Sequence, residues 1–198
     1  MKAYYAKQDA EKLSGKGDTS QKLTLMKTSA DSLKKSADAL NDSSLWEKKK
    51  IKKKDEKTGE EIEVEDYDWD KITKAVKSFV EDYNDVVKEA GESNTKDVLR
   101  NASWMTGMTD KNSNMLAKIG ITIGKGNKLE LDEDALKQAD ISSLKTVFTG
   151  YNSFVSKISQ KATGISNAAN RASATYTNNG TYSKTDSSLT SSKIDKEV

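Results

Sequence analysis

The sequence predicts a mainly α protein: an antiparallel bundle of three or four long helices with coiled-coil-like seams and two small β-hairpins. Apolar residues recur at alternating spacings of three and four along three separate stretches, which is typical of long helices packed at shallow angles. The 198 residues contain no proline, which would break a helix interior. The hydrophobic share of 34% is low for a compact core, but it is sufficient for narrow seams between helices.

The first predicted helix follows Asp18 and is about 22 residues long. Asp18 and Gln21 resemble a capping box, which satisfies free amides at a helix start. Residues 1–18 are polar and contain two glycines, so we interpret them as a flexible N-terminal segment. A helical bundle domain is expected at residues 19–175. The apolar stripe of its first helix is Leu23, Met26, Ala30, Leu33, Ala37 and Leu40.

A charged hairpin is predicted at residues 46–68, as an insertion in the bundle domain. A lysine-rich arm and a glutamate-rich arm flank a turn at Gly59, and the second arm alternates charged with apolar residues. The arm from Lys48 to Lys54 has two interpretations: a patch for nucleic acid or acidic lipid, or one side of a hairpin whose charges cancel internally. The adjacent acidic arm is equally dense, which favours internal cancellation.

The second helix is expected to begin at Asp68, a plausible N-cap, and to end before Gly91 as its C′ residue. Its apolar stripe is Trp69, Ile72, Val76, Phe79, Tyr83, Val86 and Ala90. A third helix is predicted at residues 95–118, with a break in its polar middle, TGMTDKNSN at residues 106–114, which contains Gly107. Its apolar side is Val98, Ala102, Met105, Leu116 and Ile119.

A second, smaller hairpin is predicted at residues 119–132, with strands at residues 121–123 and 128–131. The segment between them supplies two glycines and an asparagine, which tolerate the positive φ of a tight turn. Asp132 is expected to cap the short helix that follows. One long helix is then predicted from Ile141 to Ala172, because the spacing of three and four persists over more than four heptads. The polar tail at residues 176–198 is expected to be disordered.

Composition excludes much enzymatic chemistry. The chain has no cysteine and no histidine, so a thiol nucleophile, a Cys/His zinc site and a Ser-His-Asp triad are ruled out. The GKGNK segment at residues 124–128 lacks the spacing of a phosphate-binding loop, and a strand follows it instead of a helix. The acidic run at residues 132–134 lacks the further ligands of a calcium loop. We therefore expect no catalytic residues, cofactor, metal or small-molecule substrate.

The chain also carries no membrane-spanning signature, since it has no run of 18 apolar residues. Its N-terminus lacks an apolar core of the kind that marks a cleaved signal peptide. Net charge is +2, so the overall balance does not predict a nucleic-acid partner. Absence of cysteine suits both an extracellular and a cytosolic protein, which leaves the compartment open on composition alone.

Two groups of residues are candidates for protein contacts. The first is a packing or assembly seam of aromatic and apolar residues: Phe79, Tyr83, Val86, Phe148, Tyr151 and Val155. Heptad spacing does not say whether such a seam closes within one chain or between chains. The second is a possible partner patch at Trp104, Met105 and Met108, where the third helix loses its period. Burial of these three against the terminal helix explains the pattern equally well.

Three segments together resemble the C-terminal part of the bacterial flagellar filament-capping protein family. They are AVKSFVEDYNDVVKEA at residues 75–90, VLRNASWMTGMTDKNSNMLAKIGITI at residues 98–123 and GNKLELDEDALKQADISSLKTVFTG at residues 126–150. Their order and spacing also match that family. The combination of Ile-Gly-Ile with LxLDEDxL is fairly specific as a set.

The resemblance implies an axial, helical stalk domain of an exported filament-associated protein. It implies self-association or binding to flagellin, an extracellular location reached without a cleaved signal peptide, and no enzymatic activity. The charged hairpin stands near the position of the family's large β domain, so we expect a reduced relative. The alternative hypothesis is a small extracellular adaptor that binds an acidic ligand through Lys48 to Lys54.

Overall fold

The computed structural model describes residues 17–54 and 59–175. Within these residues the fold is mainly α, with seven α-helices and two antiparallel sheets of two strands each, so the predicted fold class is confirmed. The helices are α1 (Ser20–Asn41), α2 (Trp69–Gly91), α3 (Lys96–Lys111), α4 (Ser113–Ala117), α5 (Glu133–Gln138), α6 (Ile141–Phe148) and α7 (Phe154–Thr175). The strands are β1 (Lys49–Lys54), β2 (Glu61–Asp66), β3 (Ile121–Ile123) and β4 (Leu129–Leu131). The tail predicted to be disordered lies outside the described residues.

Helix α7 packs antiparallel to α1, its most extensive partner. The hydroxyl of Ser159 donates to Asp38 at 2.7 Å, and that of Ser166 donates to Asp31 at 2.6 Å. Partner numbers fall on α1 as they rise on α7, which fixes the antiparallel direction. The opposite side of α7 packs on α3, where the Arg171 guanidinium lies 3.5 Å from the carboxylate of Asp97.

Helices α1, α2, α3 and α7 form an antiparallel four-helix bundle, because α2 packs on both α1 and α3. The ammonium group of Lys22, near the start of α1, donates to the carbonyl of Glu92, just after α2. Tyr83 of α2 donates to the hydroxyl of Thr109 on α3 at 2.9 Å. The apolar stripes predicted for α1 and α2 face this common core, and every residue of the α1 stripe is at most 1% exposed.

The start of α1 differs from the prediction. Thr19, not Asp18, is the N-cap, and its hydroxyl accepts from the backbone N–H of Lys22 at 3.2 Å. The predicted capping box is therefore wrong. Asp18 is 6% exposed. Its carboxylate lies just beyond the C-terminal end of α2, where it accepts a hydrogen bond from the Ser93 hydroxyl at 2.7 Å. Of the segment expected to be flexible, residues 1–16 lie outside the described part of the chain.

The bounds of the middle helices follow the sequence with small corrections. Asp68 is the N-cap of α2, as predicted, and accepts from the Lys71 N–H at 3.0 Å. Gly91 is the last residue of α2 and not its C′ residue. The break predicted within residues 106–114 is confirmed, and it falls at Asn112, the boundary between α3 and α4. Gly107 stays helical because the buried residues Met105 and Thr109 fix the turn around it.

The smaller hairpin forms as predicted. Ile121 pairs with Leu131 and Ile123 with Leu129, and Gly126 and Asn127 provide the positive φ of the turn at 70° and 62°. The side chain of Asn84 holds this hairpin on α2. It accepts from the Leu129 N–H at 2.7 Å and donates to the Leu129 carbonyl at 2.8 Å.

The long terminal helix predicted from Ile141 to Ala172 is wrong as a single element. The structure has α6 and α7 there, with a break at residues 149–153. Gly150 has a φ of 98°, which a right-handed helix cannot contain. The hydroxyl of Ser153 then accepts from the Ser156 N–H at 3.1 Å and satisfies an amide at the start of α7.

Candidate functional site

The predicted seam residues lie mainly inside the bundle. Phe79, Tyr83 and Val86 lie on α2, while Phe148 and Val155 lie on α6 and α7. All five are at most 1% exposed. The described fold therefore brings them together within one chain, and a direct contact between copies through these side chains would require the bundle to open.

Phe79 is at the centre of an aromatic cluster. Its ring centroid lies 6.5 Å from that of Phe148 and 6.3 Å from that of Phe154, both nearly perpendicular to it. Phe148 also stacks on Trp46, with centroids 5.4 Å apart and planes 9° apart. Such pairs contribute about 0.5 to 1.5 kcal/mol beyond area burial. The cluster joins α2, α6 and α7 to the 3₁₀ turn that contains Trp46.

Tyr83 is the polar member of the seam. Its hydroxyl donates to Thr109, whose own hydroxyl donates to the carbonyl of Met105 at 3.0 Å. Burial raises the pKa of Tyr83 to about 12, and the bond to Thr109 lowers it by a smaller amount. The phenol is therefore neutral at physiological pH and acts in packing, with its one proton committed to α3.

Tyr151 differs from the other seam residues because it lies in the break between α6 and α7 and is 82% exposed. Its backbone carbonyl accepts from the hydroxyl of Ser156 at 2.6 Å, while the neighbouring Gly150 N–H donates to the side chain of Asn41 at 2.9 Å. These backbone hydrogen bonds hold the loop in place, while the Tyr151 ring itself is exposed to solvent. Of the six predicted residues, Tyr151 is the one available for contact with another molecule without any rearrangement.

The three residues of the predicted partner patch lie on one helix but differ in exposure. Met105 is fully buried and Met108 is half-buried, whereas Trp104 is 64% exposed on α3. The ammonium of Lys161 on α7 lies 4.9 Å from the centroid of the Trp104 ring. A cation at this distance is attracted to the face of the ring. The surface part of the patch is thus one indole ring and one lysine, and the methionines belong to the packing beneath it.

A groove that sequence reasoning missed lies between the end of α2, one face of α3 and the β3–β4 turn, with a volume of about 460 Å³. Its walls include Ala102, Thr106 and Gly107 of α3, and Asp110 adds a carboxylate. The hydroxyl of Thr106 donates to the carbonyl of Ala102 at 3.2 Å. Acyl- or phosphoryl-transfer sites join a nucleophile to a base, and the described bonds of the groove contain no such pair.

The charged hairpin, formed by β1, β2 and the residues that join them to the bundle, is firmly rooted. The indole N–H of Trp46 donates to the carbonyl of Leu40 at 2.8 Å, and Trp46 is 1% exposed. On the other side, Tyr67 and Trp69 pack against the core and contact each other edge to face at 6.3 Å. The Lys48 ammonium lies 5.7 Å from the Tyr67 ring centroid. The base is therefore fixed on both strands.

The ladder of the charged hairpin places lysines opposite carboxylates. Its antiparallel register pairs Lys50 with Glu65, Lys52 with Glu63 and Lys54 with Glu61. The ammonium of Lys52 lies 3.5 Å from the carboxylate of Glu61, and both side chains are more than 60% exposed. The other face of the ladder carries Ile51 opposite Val64. The antiparallel pairing predicted from the two arms is thus confirmed, while the turn at residues 55–58 lies outside the described residues.

The described residues contain no group of three or more Asp, Glu, Cys or His side chains that could hold a metal ion. No helix among them combines the length and apolar character needed to cross a bilayer. The features that remain accessible are the charged hairpin, Trp104 with Lys161, the loop at Tyr151, and the groove.

One comparison with known proteins gives a match. The family model described as flagellar hook-associated protein 2 C-terminus matches residues 93–197, which is slightly more than half of the 198 residues. The matched range begins just before α3 and includes α3 to α7, both strands of the smaller hairpin and Trp104. No curated protein and no solved structure matches the chain.

Proposed function

The chain belongs to the flagellar hook-associated protein 2 C-terminus family, and on this premise we propose that it is an exported protein that assembles with copies of itself or with filament subunits. The family is one of structural, cap-type proteins of the flagellum and not of enzymes, and its place is the flagellum outside the cell. The finer part of the proposal, namely self-association or binding to filament subunits, rests on the arguments below.

The observation that carries the proposal is that two helices outside the family-matched segment pack with two helices inside it. Helices α3 and α7 belong to the matched residues, whereas α1 and α2 precede them. All four pack into one bundle, and α7 contacts α1 more extensively than any other helix. A helix of the length of α1, 22 residues, spans about 33 Å. This arrangement supports a rod-like stalk module whose function is mechanical.

The distribution of exposed groups supports association through the surface of the rod. The aromatic seam is used inside the bundle, and several large apolar side chains are left exposed on the surface of the described fold. These exposed side chains are Leu25, Ile62, Trp104 and Tyr151. Tryptophan and tyrosine are enriched where proteins bind each other, and Trp104 and Tyr151 are exposed residues of these types.

Filament binding is tested by mixing the full chain with filaments reassembled from purified flagellin. After the filaments are pelleted, the proposal predicts chain in the pellet, and electron microscopy of gold-labelled chain should locate it on the filaments. Trp104→Ala should weaken pelleting, while Lys118→Ala, an exposed change just after α4, should leave it unchanged. A chain that stays in the supernatant with filaments and also fails to self-associate would contradict the proposal.

The second candidate function is an extracellular adaptor that binds an acidic ligand through Lys48 to Lys54. The observation in its favour is that Lys48, Lys49, Lys50, Lys52 and Lys54 are all exposed. The glutamates across the ladder compete for the same ammonium groups, so an acidic ligand must displace them. Retention on heparin that falls steeply with salt would support this candidate, and elution with the unbound protein at low salt would exclude it.

A further inference from the structure

We propose that the charged hairpin is a self-complementary docking surface, on which the lysine-rich β1 edge of one copy pairs with the acidic β2 edge of the next copy. This proposal rests on the self-association included in the proposed function. It specifies the surface through which the copies bind and which strand edge of one copy meets which edge of the next. It does not depend on the family match, because the hairpin precedes the matched residues.

The first observation is that both edges of the hairpin are open. Strands β1 and β2 form a sheet of their own, so within the described residues neither strand has a second neighbouring strand. The pair also has few contacts with the bundle beyond its base. A strand edge presents backbone groups to which another strand can bind. The firm root at Trp46, Tyr67 and Trp69 holds these edges in a defined direction.

The second observation is that charge is separated by strand. Strand β1 has the sequence KKIKKK and strand β2 the sequence EIEVED. Lysine on an edge strand ordinarily prevents sheet extension, since its charge and length disfavour pairing with most strands. A strand rich in carboxylates removes that obstacle because it places an opposite charge next to most of the lysines. Strand β2 of a second copy is such a strand.

The separation also specifies which edges meet. Pairing of β1 with β1 sets lysine against lysine, and pairing of β2 with β2 sets carboxylate against carboxylate, which is unfavourable in both cases. In the register of the hairpin itself, pairing of β1 with β2 of the next copy gives four pairs of opposite charge and sets Ile51 opposite Val64. It also continues the antiparallel alternation, so successive hairpins point in the same direction. Such a head-to-tail contact either closes into a ring or forms an open filament with one open edge at each end.

The face of the hairpin that carries Ile51 and Val64 also favours the addition of strands from another copy. Ile51 lies opposite Val64, and Ile62 is on the same face as Val64, two residues away. Ile51 and Val64 are half-buried and Ile62 is 41% exposed, and none of the three is among the side chains packed on the core of the described residues. An isolated two-stranded hairpin is marginal in water, whereas additional strands give its apolar face neighbours.

Charge-exchange variants of the full chain test the proposal. An acidic-hairpin variant carries Lys50→Glu, Lys52→Glu and Lys54→Glu, and a basic-hairpin variant carries Glu61→Lys, Glu63→Lys and Glu65→Lys. Sedimentation velocity should show self-association of either variant weakened roughly tenfold or more relative to wild type. An equimolar mixture should associate again, because acidic and basic hairpins can alternate. The control Lys118→Glu, Lys137→Glu, Lys145→Glu changes the same number of exposed lysines elsewhere and should behave as wild type.

Cross-linking keeps the test valid if an exchanged hairpin does not fold. The chain has no cysteine, so Lys52→Cys and Glu63→Cys made in separate proteins can form disulfides only between copies. Mild oxidation of the mixture should give disulfide dimers several times faster than oxidation of either protein alone. A mixture of Glu63→Cys with Lys145→Cys should give no such gain. Equal rates in all mixtures would overturn the proposal.

The outcomes separate this inference from the proposed function. A wild-type chain that self-associates while both charge variants associate equally well overturns the hairpin contact and leaves the proposed function standing. A wild-type chain that remains monomeric, together with no selective cross-link between Lys52→Cys and Glu63→Cys, overturns the hairpin contact and self-association. Loss in each variant with recovery in the mixture supports the head-to-tail contact.

Discussion

The carboxylate of Asp18 accepts a hydrogen bond from the backbone N–H of Thr95 at 2.9 Å, although 77 residues separate the two. It also accepts from the Thr95 hydroxyl at 2.6 Å and from the Asn94 N–H at 2.9 Å. Thr95 is the N-cap of α3 and makes no side-chain capping bond of its own. One acidic residue before α1 therefore organises the α2–α3 corner, and the start of the bundle depends on it.

Asp18→Ala should lower the free energy of unfolding by about 2 to 4 kcal/mol, because bonds to a charged acceptor are strong and the donors at Ser93, Asn94 and Thr95 lose their partner. Chemical denaturation followed by circular dichroism measures this change. Asp110→Ala removes an exposed carboxylate from α3 and should change stability by less than about 0.5 kcal/mol. Equal effects of the two substitutions would contradict the structural role of Asp18.

The same carboxylate should make stability dependent on acid pH. Burial alone would raise the pKa of Asp18, but hydrogen bonds from Thr95, Asn94 and Ser93 and the charge of Lys22 hold this pKa below its ordinary value. The folded state thus binds the proton more weakly than the unfolded state. Stability from Asp18 is present above the unfolded pKa and is lost as pH falls through the folded pKa. Asp18→Asn should lose less stability than wild type when pH is lowered from 5 to 2, as measured by urea denaturation at each pH.

Phe148→Ala should destabilise the chain by about 3 to 5 kcal/mol, because it removes a fully buried ring that stacks on Trp46 and contacts Phe79. Tyr151→Ala, three residues later, should cost less than about 0.5 kcal/mol, since that ring is 82% exposed. Thermal or chemical unfolding of both variants measures the difference. Comparable losses would mean that a single continuous helix buries both residues, as the sequence pattern alone predicts.

Tyr83→Phe should cost about 1 kcal/mol, because it removes the bond to Thr109 and leaves the Thr109 hydroxyl bonded to Met105. Tyr83 should also titrate late, since burial raises its pKa to about 12. The folded state therefore holds this proton more tightly, so the contribution of Tyr83 to stability is present below pH 10 and declines as pH rises toward 12. An ultraviolet titration should show one fewer tyrosine with the raised pKa in Tyr83→Phe than in wild type.

Two glycines should respond oppositely to alanine. Gly120 has a φ of 79°, and an added Cβ would lie 2.7 Å from the Asp132 carbonyl oxygen, so Gly120→Ala should cost at least about 2 kcal/mol. Gly107 lies within α3 with nothing within 4 Å of an added Cβ, so Gly107→Ala should stabilise by about 0.5 to 1 kcal/mol. Chemical denaturation distinguishes the two. Destabilisation by Gly107→Ala would indicate that the helix does break at this glycine.

The long helices could be predicted from the sequence because their information is local. The stripe from Leu23 to Leu40 repeats within one element, and the same residues are buried in the bundle. The helix prediction failed at residues 149–153, because the residues in and around this loop keep the apolar spacing of a helix. Phe148, Tyr151 and Val155 keep the intervals of three and four, yet Gly150 ends the helix between them and turns Tyr151 outward. Periodicity records which residues are apolar and does not record the φ of the glycine in the middle.

The parts that could not be predicted depend on contacts between distant residues. Asp18 and Gln21 form a plausible cap in sequence, but Ser93 and its neighbours offer the carboxylate more donors than its own helix does. The pairing of lysine and glutamate arms follows from their order in the chain. The isolation of that hairpin from the bundle, and the groove beside α3, depend on where the long helices leave space.

Sedimentation velocity of the full chain over a wide concentration range, alone and with purified flagellin, tests the assembly function most directly. Self-association predicts species heavier than the 21.8 kDa monomer that become more abundant as concentration rises. It also predicts that they become rarer as salt screens the charged hairpin. A single monomeric species at every concentration, unchanged by salt and by flagellin, would contradict it.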